Sequence, residues 1–502
     1  MSTGTRDVPR RLVPRWRSKR DSASSGELTT NPRAPKNVEL LGNAFLEEKL
    51  ALWNAQKDRD SAIELASAAI LLDQRALASA AGEYVERQND ATPAERNLAR
   101  AVLSRPDVVD PRGLVETIDP QLEWHASIHA IRSLIKTCPR NPFLWSELSR
   151  AHTSVGNIHR AKDAMTVAAQ LAPHNRYIVR AATRLFIHFG KPDIAHAILL
   201  RYEGLRHDPW VLSAEIAASG VLERTSKYIA VAKDLVKTAR HSPFQLSELN
   251  GSLASVEFLA GDGRASRRHF QSSLIQPTDN AVAQAVWASN HGQPLQIPPQ
   301  ALEVPNAFEA NTLKYQALQR WDAALENCND WLIDEPYSRR AAELGSYIAV
   351  VAQGDYAQSE AFSRRGLLAN PDSLMLRNNL AVALALQDKL EDAQAEFSVL
   401  MRHGLGDAVT FNATRGLLLY RQGDFLAGRE AYLHAMELAR DSKDGRSWAL
   451  AGTHILLEES RTDPKAAAAL LPTIEKLVSQ AKDPQVTLMF DRVRHGMMKN
   501  EV

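Results

Sequence analysis

The sequence predicts an all-α chain of stacked helix-turn-helix units, and three observations carry that expectation. In the stretch from Leu374 to Leu400, Leu380, Ala381, Leu384, Ala393 and Phe397 fall in two short amphipathic runs, broken near Gln387, Asp388 and Lys389. Small residues at that spacing let two helices approach closely while larger ones fill the gap between them. Next, Gly354-Asp355-Tyr356 and Gly423-Asp424-Phe425 repeat one punctuation: the Gly ends a helix in a left-handed conformation and the Asp caps the following one. Finally, 44% of residues are hydrophobic but only 6% are aromatic, so much of the apolar surface is Ala and Leu. That composition suits closely packed helices, and almost no strand is expected.

At 502 residues the chain exceeds what one compact core usually holds, and the repeats favour an extended solenoid over several separate domains. The net charge of +1 excludes a global field that would attract nucleic acid or membrane. Cys138 and Cys328 lie far apart in sequence, which argues against a disulfide framework and for a reducing compartment. No run of about 18 apolar residues is present. The basic N-terminus, from Arg6 through Arg10, Arg11, Arg15, Arg17, Lys19 and Arg20, leads into Asp21-Ser22-Ala23 and not into an apolar core. A secretory signal is therefore not expected, and the protein reads as cytoplasmic.

Along the chain, residues 1–37 offer few large apolar residues for burial, chiefly Leu12, Val13, Trp16 and Leu28, and are expected to form a disordered basic arm. Residues 38–141 carry irregular helical hairpins, with Leu40, Leu41, Phe45, Leu46, Leu50 and Trp53 as the first stripe. A first array is expected over 142–291. A connector over 292–306 follows, where Pro294, Pro298, Pro299 and Pro305 cannot all sit inside helices. A second array covers 307–440 and capping helices cover 441–502, at roughly 446–460, 464–481 and 484–498.

Within the first array, Trp145, Leu148, Gly156, Ala161, Met165, Ala168 and Pro173 occupy the spacing of the tetratricopeptide-repeat signature. The second array keeps Tyr315, Ala324, Trp331 and Pro336, then Tyr347 and Pro371, then Gly416, Tyr432 and Ala435. On these residues the chain resembles the tetratricopeptide-repeat superfamily from Pro142 to about Arg440. The resemblance implies a right-handed α-solenoid of helix-turn-helix repeats with irregular capping helices at both ends, whose first helices line a concave surface that holds a peptide or protein. It does not bring the carboxylate clamp of chaperone-binding members with it, because Ser146 and Arg150 stand where that clamp needs Lys and Asn.

No phosphate-cradling loop, metalloprotease helix, nucleophile elbow or Cys-x2-Cys pair is found, so no enzymatic activity, cofactor or metal site is expected. His125 and His129 share a helical face but lack a third ligand, and both cysteines read as core residues. The constellation that stands out is Arg176, Arg180, Arg184 and His188, spaced every four residues along one helical face, with Arg150 in the preceding repeat. It reads either as a solvated face partly paired with Glu147 or as a docking groove for an acidic surface or peptide, to which the planar guanidinium is suited. Arg377, Asn378 and Arg415 form a secondary groove candidate in the second array. The sequence thus points to a non-enzymatic scaffold or adaptor that holds a partner protein, such as the effector or catalytic subunit of a bacterial complex. The alternative is a nucleic-acid-associated regulator using the basic arm and the arginine stripe.

Overall fold

A computed structural model describes residues 9–18, 38–71, 74–89, 120–137, 139–238, 241–403 and 408–500, with residues 91, 99 and 103. Among them every regular element is helical and none is a strand. The chain forms two compact units, Val13–Arg240 and Met1–Leu12 with His241–Val502. The division falls inside the segment expected to be one array, 142–291.

In the unit of Val13–Arg240, α1 (Val38–Gln56), α2 (Arg59–Leu71), α3 (Arg75–Glu86) and α4 (Pro120–Thr137) precede three hairpins. These are α5 (Pro142–Ser154) with α6 (Ile158–Leu171), α7 (Arg176–His188) with α8 (Pro192–Leu200), and α9 (Pro209–Val221) with α10 (Ile229–Lys237). Asn141, Asn175 and Asp208 cap α5, α7 and α9 through their side chains. Each thereby satisfies one of the orphan N–H groups at a helix start.

In the other unit, α11 (Pro243–Leu259) pairs with α12 (Gly263–Ser273), and α13 (Asp279–Asn290) is followed by the proline-containing stretch. That stretch holds a single short 3-10 turn, Pro299–Leu302, and buries Leu295, Ile297, Leu302 and Val304 against Ala283, Val286 and Ala310. Residues 293–298 carry no regular structure, which the prolines tolerate. The remaining hairpins are α14 (Phe308–Ala317) with α15 (Trp321–Asp334), α16 (Arg339–Ile348) with α17 (Tyr356–Ala369), α18 (Leu374–Leu386) with α19 (Leu390–Met401), α20 (Val409–Arg421) with α21 (Phe425–Asp441), and α22 (Gly445–Thr462) with α23 (Pro464–Ala481). The last helix is α24 (Pro484–Asn500).

Left-handed residues end the first helices at 319, 354, 388 and 423, about 34 residues apart, the period of the repeat. Gly354 and Gly423 do this as expected, and Asp355 and Asp424 cap the next helices through Gln358 N and Ala427 N. At Gln319 and Asp388 the same geometry is held by non-glycine residues. Helices approach closely enough that a Cβ on Gly416 would lie 2.6 Å from the Tyr432 ring. Phe397 is buried with Leu380, Leu384, Leu417 and Tyr420 in the core of this unit.

The end of α16 widens into a π turn over Ala349–Gln353 before Gly354. Its carbonyls are met by the Arg492 guanidinium of α24, which donates to Val351 O at 2.8 Å and also to Val350 O and Ala352 O. Met489 and Leu488 of the same helix pack into the cores around α16 and α18.

Residues 9–18 correct the expectation of a disordered arm. They run without helix or strand, and residues 10, 12, 14 and 16 are buried while those between are only partly exposed. The composition count missed this because the alternation lets few apolar residues do the work of burial, with an arginine turned inward beside them. Residues 1–8 and 19–37 lie outside the described residues.

Candidate functional site

First helices of the hairpins present two kinds of face, one filled by the chain itself and one open. The filled face of the second unit begins with polar side chains that a helix interior would not tolerate alone. Asn280 and Gln284 stand one turn apart on α13, and Glu309 opens α14, only 2% exposed. A buried carboxylate without a partner is costly, so the site needs a cation. Arg10 supplies it: Nε donates to Glu309 Oε1 at 2.9 Å, Nη2 to Glu309 Oε2 at 2.8 Å and to Asn280 Oδ1 at 2.8 Å, and Nη1 to Gln284 Oε1 at 2.7 Å. Arg340 Nη1 lies 3.0 Å from Glu309 Oε1 from the exposed side. Gln284 Nε2 also donates to the Arg10 carbonyl at 2.9 Å, reading backbone as well as side chain. Two residues on, Leu12 lies against Gly251 of α11, where a Cβ would stand 2.8 Å from Leu12 Cδ1.

In the unit of Val13–Arg240, Trp16 is fully buried, and its indole N–H donates to Ser146 Oγ at 3.2 Å. The Tyr177 hydroxyl donates to the Arg17 carbonyl at 2.9 Å, and Ser18 Oγ donates to Glu147 Oε2 at 2.9 Å. Ser146, Glu147 and Tyr177 sit on the first helices α5 and α7. Burial, with the Glu147 carboxylate nearby, drives the Tyr177 pKa up, so its phenol stays a donor.

The arginine stripe is more occupied than the spacing suggested. Arg150 is 8% exposed and pairs along its own helix with Glu147 at 3.5 Å, its guanidinium 5.4 Å from the Trp124 ring, so it is a packed residue and not a groove cation. Arg176, although exposed, reaches Asp208 at the cap of α9. Arg180 is partly buried; it donates to the Trp210 carbonyl at 2.9 Å and lies 5.3 Å from that indole ring. Arg184 and His188 are partly exposed on the same helix, His188 beside Phe189.

The open face is a cavity of about 300 Å³ on α16, α18, α20 and α22. Its floor is apolar, with Val350, Val351, Met375, Val382, Leu417 and Leu450. Polar groups stand at its wall. Asn378 accepts from Thr414 Oγ1 at 2.8 Å and Asn379 donates to Ser346 Oγ at 2.9 Å. The Arg446 guanidinium lies 5.0 Å from the Tyr347 ring and pairs with Asp483 at 2.8 Å. His454 Nδ1 is buried with no hydrogen-bond partner. Burial, with Arg421 and Arg492 nearby, lowers the His454 pKa to about 4, so the imidazole is neutral at pH 7.

Of the secondary groove candidates, only Asn378 lines this cavity. Arg377 turns to Glu396 of α19 at 2.6 Å and to the Pro371 carbonyl, and Arg415 is exposed elsewhere on α20. Tyr347, Arg446 and His454 were missed because their partners belong to other repeats.

Cys328 is buried, which pushes its thiol up to about 12, while Cys138 lies outside the described residues. Among the described residues no group of three His, Cys, Asp or Glu side chains could hold a metal ion, and His129 lies 3.8 Å from Glu64. No helix of the described residues is long and apolar enough to cross a membrane.

No family model matches the sequence, and no curated protein matches it. Two solved structures are similar over most of their length. The crystal structure of the APC/C hetero-tetramer Cut9–Hcn1 shares 11% identity with a TM-score of 0.35, covering 90% of this chain and 94% of that one. Yeast Tom70 shares 10% identity with a TM-score of 0.30, covering 92% of this chain and 97% of that one. The fold class rests on the helices, caps and repeat spacing of this chain itself.

Proposed function

We propose that the protein is a non-enzymatic scaffold or adaptor whose first-helix faces hold extended polypeptide, and that the cavity on α16, α18, α20 and α22 is where a partner docks. The observation that carries this reading is the segment Pro9–Ser18. It runs without helix or strand, its alternate side chains are buried, and its carbonyls at Arg10 and Arg17 accept hydrogen bonds from Gln284 and Tyr177. Such alternation with main-chain contacts is how a groove reads an extended chain. The cavity offers the same kind of helix face with nothing of residues 9–18 in it, an apolar floor for one side chain and amide and imidazole groups for a backbone. The turning inward of Arg10 removes one cation from the basic arm on which a nucleic-acid reading depended.

A photo-crosslinking residue at Met375, which lines the cavity, tests the reading in the cells that make the protein. Adducts to polypeptide are expected there, lost in the Val382→Arg variant that fills the cavity, and absent from the same probe at Met401, which does not line it. Adducts to nucleic acid alone, or equal capture at both positions, would overturn it.

A further inference from the structure

The contacts of Arg10 are more selective than a strut requires. A carboxylate and two amide oxygens converge on one guanidinium, using Nε, Nη1 and Nη2 together. An ammonium is a point charge and cannot satisfy acceptors spread around a planar fork. Gly251 adds a second selection. On a helix interior Ala is the better residue by propensity, yet here a Cβ would stand 2.8 Å from Leu12 Cδ1 and make that side chain shift from its seat. The spacing of the two subsites, with Leu12 two residues after Arg10, fits an extended strand whose alternate side chains point the same way.

We propose that Asn280, Gln284, Glu309 and Gly251 form a recognition site for an extended peptide bearing Arg-x-Leu, which the chain occupies with its own Arg10 and Leu12. The same motif on another polypeptide competes for it. Occupancy by the chain's own segment then sets the access of such partners. This rests on the reading that first-helix faces hold extended polypeptide, and names the motif that one of them takes. The carboxylate fixes the need for a cation, the two amides make it a guanidinium, and the bare helix backbone at Gly251 makes the next contact a branched aliphatic side chain.

The test uses the chain lacking residues 1–18 and a fluorescent peptide of residues 8–18. Saturable binding is expected, at least about tenfold weaker when the peptide carries Arg10→Lys or Leu12→Ala, and weakened likewise by Glu309→Gln in the chain. The intact chain should bind the same peptide at least about tenfold more weakly than the truncated one, because its own segment competes at high effective concentration. Equal binding of the Arg10→Lys peptide, equal binding by intact and truncated chains, or no binding to a folded truncated chain would overturn the proposal. If the truncated chain does not fold, full-length Arg10→Ala serves instead. Methylguanidine is expected to raise its melting midpoint and methylammonium not to, and equal effects of the two would overturn the proposal. A failure here with Met375 adducts intact would remove the motif and leave the scaffold reading standing.

Discussion

The Arg10 site and the α16–α22 cavity belong to one unit and are built from the same kind of helix, yet one is filled and the other open. The difference lies in what each face buries. If Arg10 withdrew, Glu309, Asn280 and Gln284 would each lose a hydrogen-bond donor, and a buried carboxylate stripped of its buried counter-ion costs up to several kcal/mol, offset in part by Arg340 on its exposed side. The cavity buries Val350, Val382, Leu417 and Leu450, and its asparagines already hydrogen-bond Thr414 and Ser346. An apolar face with satisfied amides can stand open at modest cost, whereas a charged one must bring its own counter-ion. On the reading proposed above, the charged face around Glu309 is where this chain binds itself, and the apolar cavity is where it is available to others.

The comparison can be broken at its filled side first. Trp16→Ala is expected to destabilise its unit by about 3–5 kcal/mol, as for other fully buried Trp side chains. Urea unfolding followed by hydrogen exchange over 142–200 checks it; an unchanged midpoint would mean residues 13–18 contribute nothing. Phe397→Ala, in the core behind the open face, should cost about 3–5 kcal/mol as well, with a loss of exchange protection that includes residues 374–400.

Acid sharpens the comparison from the open side. The His454 pKa is depressed to about 4 in the folded chain against 6.5 when unfolded, so the unfolded chain takes up its proton first. Stability present above pH 6.5 is then lost as pH falls to about 4, on the order of 3 kcal/mol for a shift of this size. His454→Gln should flatten that part of the melting profile, and an unchanged slope between pH 6.5 and 4 would show that the buried imidazole is not its source.

The smallest effect on folding is expected at the arginine stripe. Arg180→Glu with Arg184→Glu should shift stability by less than about 1 kcal/mol, since both side chains are partly exposed. The same variant checks the proposal that the stripe docks an acidic surface. Loss of a partner with unchanged circular dichroism supports it, and retained binding at moderate salt leaves the stripe to its contacts within the chain, Asp208 and Trp210 among them.

What was legible in the sequence follows the range of the interaction that determines it. The hairpins were readable because Ala393, Phe397, Gly354-Asp355 and Gly423-Asp424 act within one repeat. The break at Asp388 was readable too, but the left-handed geometry there and at Gln319 was not, because repeat packing imposes at these positions what glycine signals elsewhere. Residues 9–18 were judged by apolar content, although the decisive residue is Arg10, whose partners lie 270 to 299 positions away. Among the site candidates Asn378 lines the cavity and Arg377 does not. One step along a helix turns a side chain by about 100°, enough to carry Arg377 from the cavity to Glu396.

The π turn at 349–353 has a mechanical consequence. A linear array of repeats senses only its neighbours, and its end can fray one hairpin at a time. Here Arg492, in the last helix, clasps carbonyls about 140 residues earlier, at the end of α16. Peeling α24 away would take the Arg492 donor from Val351 O and Ala352 O, leave Val350 O to Gly354 N, and also withdraw Leu488 and Met489 from the cores around α16 and α18. The hairpins between residues 339 and 500 are thereby latched into a closed loop of contacts, which should give way together under force or denaturant instead of unzipping from the C-terminus.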